Sequence, residues 1–279
     1  MDLRNERVFL AYIQASVQSD KLSLPTIPQV ALRVREAVNS SRVSDGEIAK
    51  LISADPGLSV RLLQVANSPL FRARVKVDSL QAAITRMGHS SVRTVVTSLA
   101  MKQLFKPGSL VLEKEFQAVW RESVAVAGVC RALATRCRHL DPDQAMLAGL
   151  IHQIGKLPIL TLAEKFPELG NDPAVLSRHL ERLHPIIAKL IMKSWDLPES
   201  LACVTWEYLD FQRNPAPAAD YVDVVQVAYL ENRSAGNPDF KLDFAEVPAF
   251  AKLGFDAGIE ILEIEDISLT SAETRSLLA

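Results

Sequence analysis

Helix-start signals recur along this chain, whereas the apolar/polar alternation that builds sheets is confined to Arg74-Val75-Lys76-Val77. A run that short makes no sheet on its own. Ser44 with Glu47 three residues later has the form of a capping box, and Ile48, Leu51 and Ile52 then fall on one helical face. Asp55-Pro56 joins an N-cap to the residue best suited to the first helical position. Leu58, Leu62, Val65 and Ala66 continue that stripe until Asn67-Ser68-Pro69 stops it. Asp141-Pro142 opens a third helix, whose stripe of Leu147, Leu150, Ile151 and Ile154 is expected to close at Gly155. Residues 110–138 form a long segment in which Ala125, Gly128 and Ala132 leave room for a neighbouring backbone. The chain therefore reads as all-α.

Three breaks organise it: Pro107-Gly108, Asn214-Pro215-Ala216-Pro217 and Gly236-Asn237-Pro238. They divide the chain into an N-terminal helix (1–20), a first helical lobe (21–106), a second (109–235) and a C-terminal extension (239–279). With 48% hydrophobic residues and a formal net charge of −2, the 279 residues exclude a disordered chain and a protein basic throughout. No apolar run is expected to approach the roughly 20 residues that span a bilayer, and MDLRNERVFL has no signal-peptide core. A cytoplasmic location and no membrane association are the expectation. Cys130, Cys137 and Cys203 form no CxxC pair, so neither a disulfide framework nor a cysteine zinc site is expected.

Five histidines, His89, His139, His152, His179 and His184, are the candidates for metal chemistry. A metal phosphohydrolase needs imidazoles and carboxylates converging on one or two cations, because together they hold the metal and acidify its water. No His-Glu-x-x-His stretch occurs, and His179 and His184 lack the i, i+4 spacing that puts two ligands on one helical face. Capping, surface or core roles account for most of the five. His152, in GLIHQIGKL, stands apart, because its helix is apolar on more than one side and a polar pair such as His152-Gln153 is costly to bury without partners.

LPTIPQVALRV, IAKLISADPGLSVRLLQVANSPLF and SLQAAITRMGHSSVRTVVTSLAM follow one another over residues 24–101, and VWRES, GLIHQIGKLPIL and HPIIAKLIMKSWDLPESL follow at 119–123, 149–160 and 184–201. In these stretches the chain resembles the HDOD domain, a bacterial signalling module related to the HD superfamily of metal-dependent phosphohydrolases. The resemblance covers roughly residues 20–235 and implies a two-lobed helical bundle with an HD-like second lobe. It also implies where ligands would lie. Glu122 stands where a working HD enzyme would have a histidine, His152 matches the histidine of the His-Asp pair, and Gln153 replaces its aspartate. His184 falls near a later histidine of the pattern. Trp206-Glu207-Tyr208-Leu209 fill a region where further histidines are expected, and Tyr229 stands near the place of a last aspartate. A neutral amide cannot supply the anionic bridge between two cations. The resemblance thus implies a regulatory domain with no catalytic residues, cofactor or metal, working on a signalling protein or on a small ligand in an inter-lobe cleft near Glu122, His152, Gln153 and His184. A residual metal site of His152, His184 and Glu122, hydrolysing a nucleotide or cyclic dinucleotide, is the alternative.

Residues 44–67 also have the outline of a helix-turn-helix, with Ser59, Arg61 and Gln64 on the second helix. Leu62, Leu63, Val65 and Ala66 make that helix more apolar than one that reads a groove, so nucleic acid ranks below a protein partner. Residues 56–106 carry eight basic residues against Asp78 alone, and Arg72, Arg74 and Lys76 are the expected docking patch for an acidic partner. From Asp239 onward nine acids face three basic residues. The extension's near-helical apolar spacing predicts that it packs back across the bundle, its acids meeting the basic block within one chain or in a homodimer.

Overall fold

The computed structural model describes residues 2–19, 21–40, 42–71, 75–106, 108, 112–235, 237, 239–255 and 261–278, and among them there is no strand. The first part of the chain folds into α1 (Glu6–Gln18), α2 (Gln29–Asn39), α3 (Asp45–Ile52), α4 (Pro56–Ala66) and α5 (Leu80–Met101), the last kinked at Gly88. Then come α6 (Glu113–Ala134), α7 (Pro142–Ile151), α8 (Lys156–Lys165), α9 (Pro167–Gly170), α10 (Pro173–Arg182) and α11 (His184–Trp195). Two single turns, α12 (Glu199–Ala202) and α13 (Val204–Glu207), lead into α14 (Tyr221–Ser234), and α15 (Pro248–Lys252) and α16 (Glu265–Leu278) complete the chain.

The helix starts lie where the caps place them. Ser44 and Glu47 form a reciprocal capping box, and the carboxylates of Asp55 and Asp141 accept first-turn amides ahead of Pro56 and Pro142. Two local expectations fail. The helix opened at Asp141 stops at Ile151, and residues 152–155 make a turn before α8, so Gly155 begins a new helix instead of closing the old one. The segment at Val75–Val77 is no strand, because the side-chain amide of Asn67 takes up both the N–H and the carbonyl of Val77 at 2.8 Å. Arg72 and Arg74 lie outside the described residues, and Lys76 is exposed.

Two hydrophobic cores form. Helices α2 to α5 enclose one around Ile48, Leu62, Ile84 and Val96. The other gathers Phe116, Leu133, Ile154, Trp195 and Tyr208 from the second lobe. The N-terminal helix belongs to the second core, with Phe9 edge-on to His179 at 4.7 Å and Glu6 paired with Arg178 at 3.3 Å. Helices α6 and α7 serve both, since Val124, Ala127, Met146 and Leu150 join the first core while Leu133, Ala148 and Ile151 join the second. The stretch Pro142–Lys165 is long and apolar enough to span a bilayer, with mean hydropathy 1.3, contrary to the reading of the sequence, but 89% of its most apolar window is buried in this fold.

The C-terminal extension does pack back. A Cβ on Gly128 would lie 2.8 Å from the carbonyl oxygen of Ser271, so the glycine is what lets α16 lie against α6. Leu278, 2% exposed, enters the first-lobe core. Apolar and backbone contacts hold the helix in place, and the ion pair found between extension and bundle joins a tail cation, Lys252, to Asp223 at 3.2 Å. Arg72, Arg74, Asp256 and Glu260, which belong to the expected pairing of tail acids with the basic block, lie outside the described residues. Beneath this junction Arg131 of α6 and Asp143 of α7 form a buried ion pair at 3.0 Å, with the guanidinium over the Phe71 ring. Burial raises the Asp143 pKa, while Arg131 and a hydrogen bond from Ser91 of α5 oppose the shift.

Candidate functional site

The turn between α7 and α8 brings His152, Gln153 and Lys156 to one place. Its geometry depends on Gly155, where a Cβ would stand 2.0 Å from the carbonyl oxygen of His184. Without a side chain there, the start of α11 seats directly on the turn, which sets His184 beside it. From α6, Glu122 approaches from the other side.

His152 and Gln153 are fully buried. The Nδ1–H of His152 donates to the carbonyl of Gly149 at 2.6 Å, which leaves Nε2 as a lone-pair nitrogen with no partner. Burial pushes the His152 pKa down to about 4, against a smaller opposing pull from Glu122. In front of the ring stand Tyr208, edge-on at 4.9 Å, and Tyr229 at 6.0 Å, the two phenols 5.1 Å apart. The Tyr208 hydroxyl and His184 Nε2 share a hydrogen bond at 3.0 Å. Burial holds the Tyr208 pKa well above, and that of His184 well below, their ordinary values, so both are neutral.

Lys156 is the residue that reading the sequence missed. Its ammonium donates to Gln153 Oε1 at 2.6 Å and lies 3.8 Å from the Glu122 carboxylate, with the side chain 12% exposed. The two positions expected to carry metal ligands on these helices therefore face a lysine. A signal was available in the spacing, because Lys156 follows Gln153 by three residues, one helical turn, within an otherwise apolar run. The donor set does not suit a divalent centre: Glu122 is engaged by a cation, Gln153 is neutral, and two phenols screen His152. Among the described residues no three His, Cys, Asp or Glu side chains converge as metal ligands.

A cleft of about 320 Å³ opens next to this centre, walled by Lys156, Glu181, His184, Tyr208, Tyr229 and Arg233 among others. All its walls belong to the second lobe. The expected position between the lobes is thus corrected: Glu122, His152, Gln153 and His184 gather inside the HD-like lobe because α7, α8 and α11 meet there. The remaining histidines are structural, His139 bonding the carbonyl of Ala219, His179 that of Leu3, and His89 the Asp45 carboxylate at 2.6 Å.

The helical order and this polar centre define a two-lobed all-α module whose second lobe keeps an HD-type layout with an altered set of side chains. The chain belongs to the HDOD family, whose domain model matches residues 24–208. It is similar over 98% of its length, at 28% identity and a TM-score of 0.86, to a candidate metal-dependent phosphohydrolase from Shewanella amazonensis SB2B, 99% of which is covered. An HDOD domain protein of unknown function from Geobacter sulfurreducens shares the fold at 23% identity and a TM-score of 0.65, with 95% of each chain covered. A candidate signal transduction protein from Marinobacter aquaeolei VT8 shares it at 18% identity and a TM-score of 0.63, over 99% of this chain and 67% of that one. The uncharacterized protein YuxH of Bacillus subtilis (strain 168) is 27% identical over 135 residues, 48% of this chain, and the match spans 31% of its own length.

Proposed function

We propose that this chain is a cytoplasmic, non-catalytic HDOD module that regulates by binding a signalling protein or a small ligand. One observation carries the reading: the Lys156 ammonium lies between Gln153 and Glu122, where two divalent ions would need anionic ligands. Burial lowers the Lys156 pKa and Glu122 opposes the shift; the ammonium held there repels a metal, which the neutral amide and the engaged carboxylate do little to offset. The test is hydrolysis of nucleotides and cyclic dinucleotides by the full chain with manganese, together with its metal content after dialysis. No turnover and no stoichiometric metal are expected. Turnover abolished by His152→Ala would establish the opposite reading, a residual phosphohydrolase, which the name of the Shewanella relative favours for that protein.

Nucleic acid ranks below these. The Ser59 hydroxyl, a candidate base reader, is bonded inside the α3–α4 hairpin to the carbonyls of Ile52 and Asp55, and Leu58, Leu62, Val65 and Ala66 are buried. A docking role for Arg72, Arg74 and Lys76 is tested by pull-down with their charges reversed. Loss of a partner retained by the wild type is expected.

A further inference from the structure

We infer that a second cavity, the one between the two lobes, binds a small organic phosphate through Arg35 and Arg93. It measures about 270 Å³ and is lined by Arg35 and Asn39 of α2, Arg93 of α5, Gln144 and Leu147 of α7, and Asp196, Leu197, Pro198 and Leu201. Arg35 and Asn39 are one turn apart and share a face of α2. Arg93 Nη1 donates to Asn39 Oδ1 at 3.2 Å, which holds the second guanidinium on the same cavity. Arg35 Nη1 reaches across the lobes to the carbonyls of Trp195, at 2.5 Å, and Asp196, at 3.3 Å.

These two cations share one cavity. Arg131, Arg178, Arg182 and Arg213 are each paired with a carboxylate, whereas among the described residues neither Arg35 nor Arg93 forms an ion pair. The acid at the cavity, Asp196, is exposed at the rim and offers Arg35 only its backbone carbonyl. Each guanidinium holds five N–H donors in a planar fork suited to phosphate oxygens, and one nitrogen of each is used to fix it in place. A half-buried pair of cations without a counter-charge attracts an anion. Opposite it, Leu147 and Leu201 are buried apolar surface for the body of the ligand. The volume is at the small end of ligand pockets, roughly 300 Å³ and upward, and suits a mononucleotide better than a dinucleotide. Because both lobes supply contacts, occupancy favours the arrangement in which they meet. The site stands on this geometry, and only its role as a signal input rests on the regulatory reading above.

The experiment titrates the full chain with AMP and GMP, and with inorganic phosphate, citrate and cyclic di-GMP for comparison, by calorimetry and thermal shift. A mononucleotide is expected to bind and to raise Tm. Arg93→Gln should weaken it about tenfold or more, the scale of a lost charged hydrogen bond, and Arg93→Lys by less. Lys156→Met, in the other cleft, should leave binding unchanged. Unliganded Tm of the Arg93 variants reports their folding, and Gln144→Ala supplies an independent wall variant expected to weaken binding. No mononucleotide binding at millimolar concentration, phosphate or citrate binding as tightly as nucleotide, or binding kept by Arg93→Gln and lost in Lys156→Met would each overturn the inference. Hydrolysis in the same samples bears on the regulatory reading alone.

Discussion

At the scale of single residues, the polar centre is a set of groups held neutral or paired by burial, and its energetics are open to titration. His152 has a folded-state pKa pushed from 6.5 down to about 4, so between those values the unfolded chain binds a proton that the folded one refuses. Stability from the neutral ring is therefore complete above pH 6.5 and is lost as pH falls towards 4, by roughly 3 kcal/mol in all. His184, lowered for the same reason, adds to the loss. Urea midpoints compared at neutral and mildly acidic pH should show the slope, and His152→Leu should flatten it. Lys156→Met should cost about 1–3 kcal/mol by leaving Glu122 without its cation, and Glu122→Gln in that background should recover part of it; a double-mutant cycle reads the coupling. The sequence made His152 and Gln153 visible as an expensive polar pair. It could not show that Glu122, on another helix, faces the same lysine, because tertiary packing decides that. Gly155 misled for a related reason: a glycine near a helix end reads as a stop, and here the approach of the His184 carbonyl requires it.

Among the helices, capping chemistry was the legible part, because a cap is satisfied within four residues of itself. Ser44, Asp55 and Asp141 all cap as their local sequence dictates. Relations between distant helices were legible only where small residues announced them, as at Gly128. Which helix would use that gap was not, since the close approach of the Ser271 backbone is set by tertiary packing. Gly128→Leu is expected to displace α16, at a cost of about 1–3 kcal/mol from overpacking and more if Leu278 leaves its site. Hydrogen exchange would show this as lost protection confined to residues 265–278. Unchanged protection there would mean that α6 and α16 can part without consequence.

On the scale of the whole molecule, the two cores are not separable units, because α6 and α7 line both and α16 closes the joint. Thermal unfolding should be a single transition with matching calorimetric and van't Hoff enthalpies, not two. Asp143→Asn should lower stability by about 3–5 kcal/mol, since it leaves the Arg131 guanidinium buried without its counter-charge. A melting curve that stays unchanged would remove the pair from this role. The net charge of −2, which sets the basic block of one lobe against the acidic extension, gives no hint of this joint, whose ions are both hidden. Lys156 has a consequence at this scale too. A counter-ion carried on the polypeptide is delivered in fixed proportion with every copy made, and it can be neither chelated nor exchanged. In the regulatory reading proposed above, the second lobe would hold one shape through metal starvation and metal excess alike, leaving its response to be set by whatever binds it.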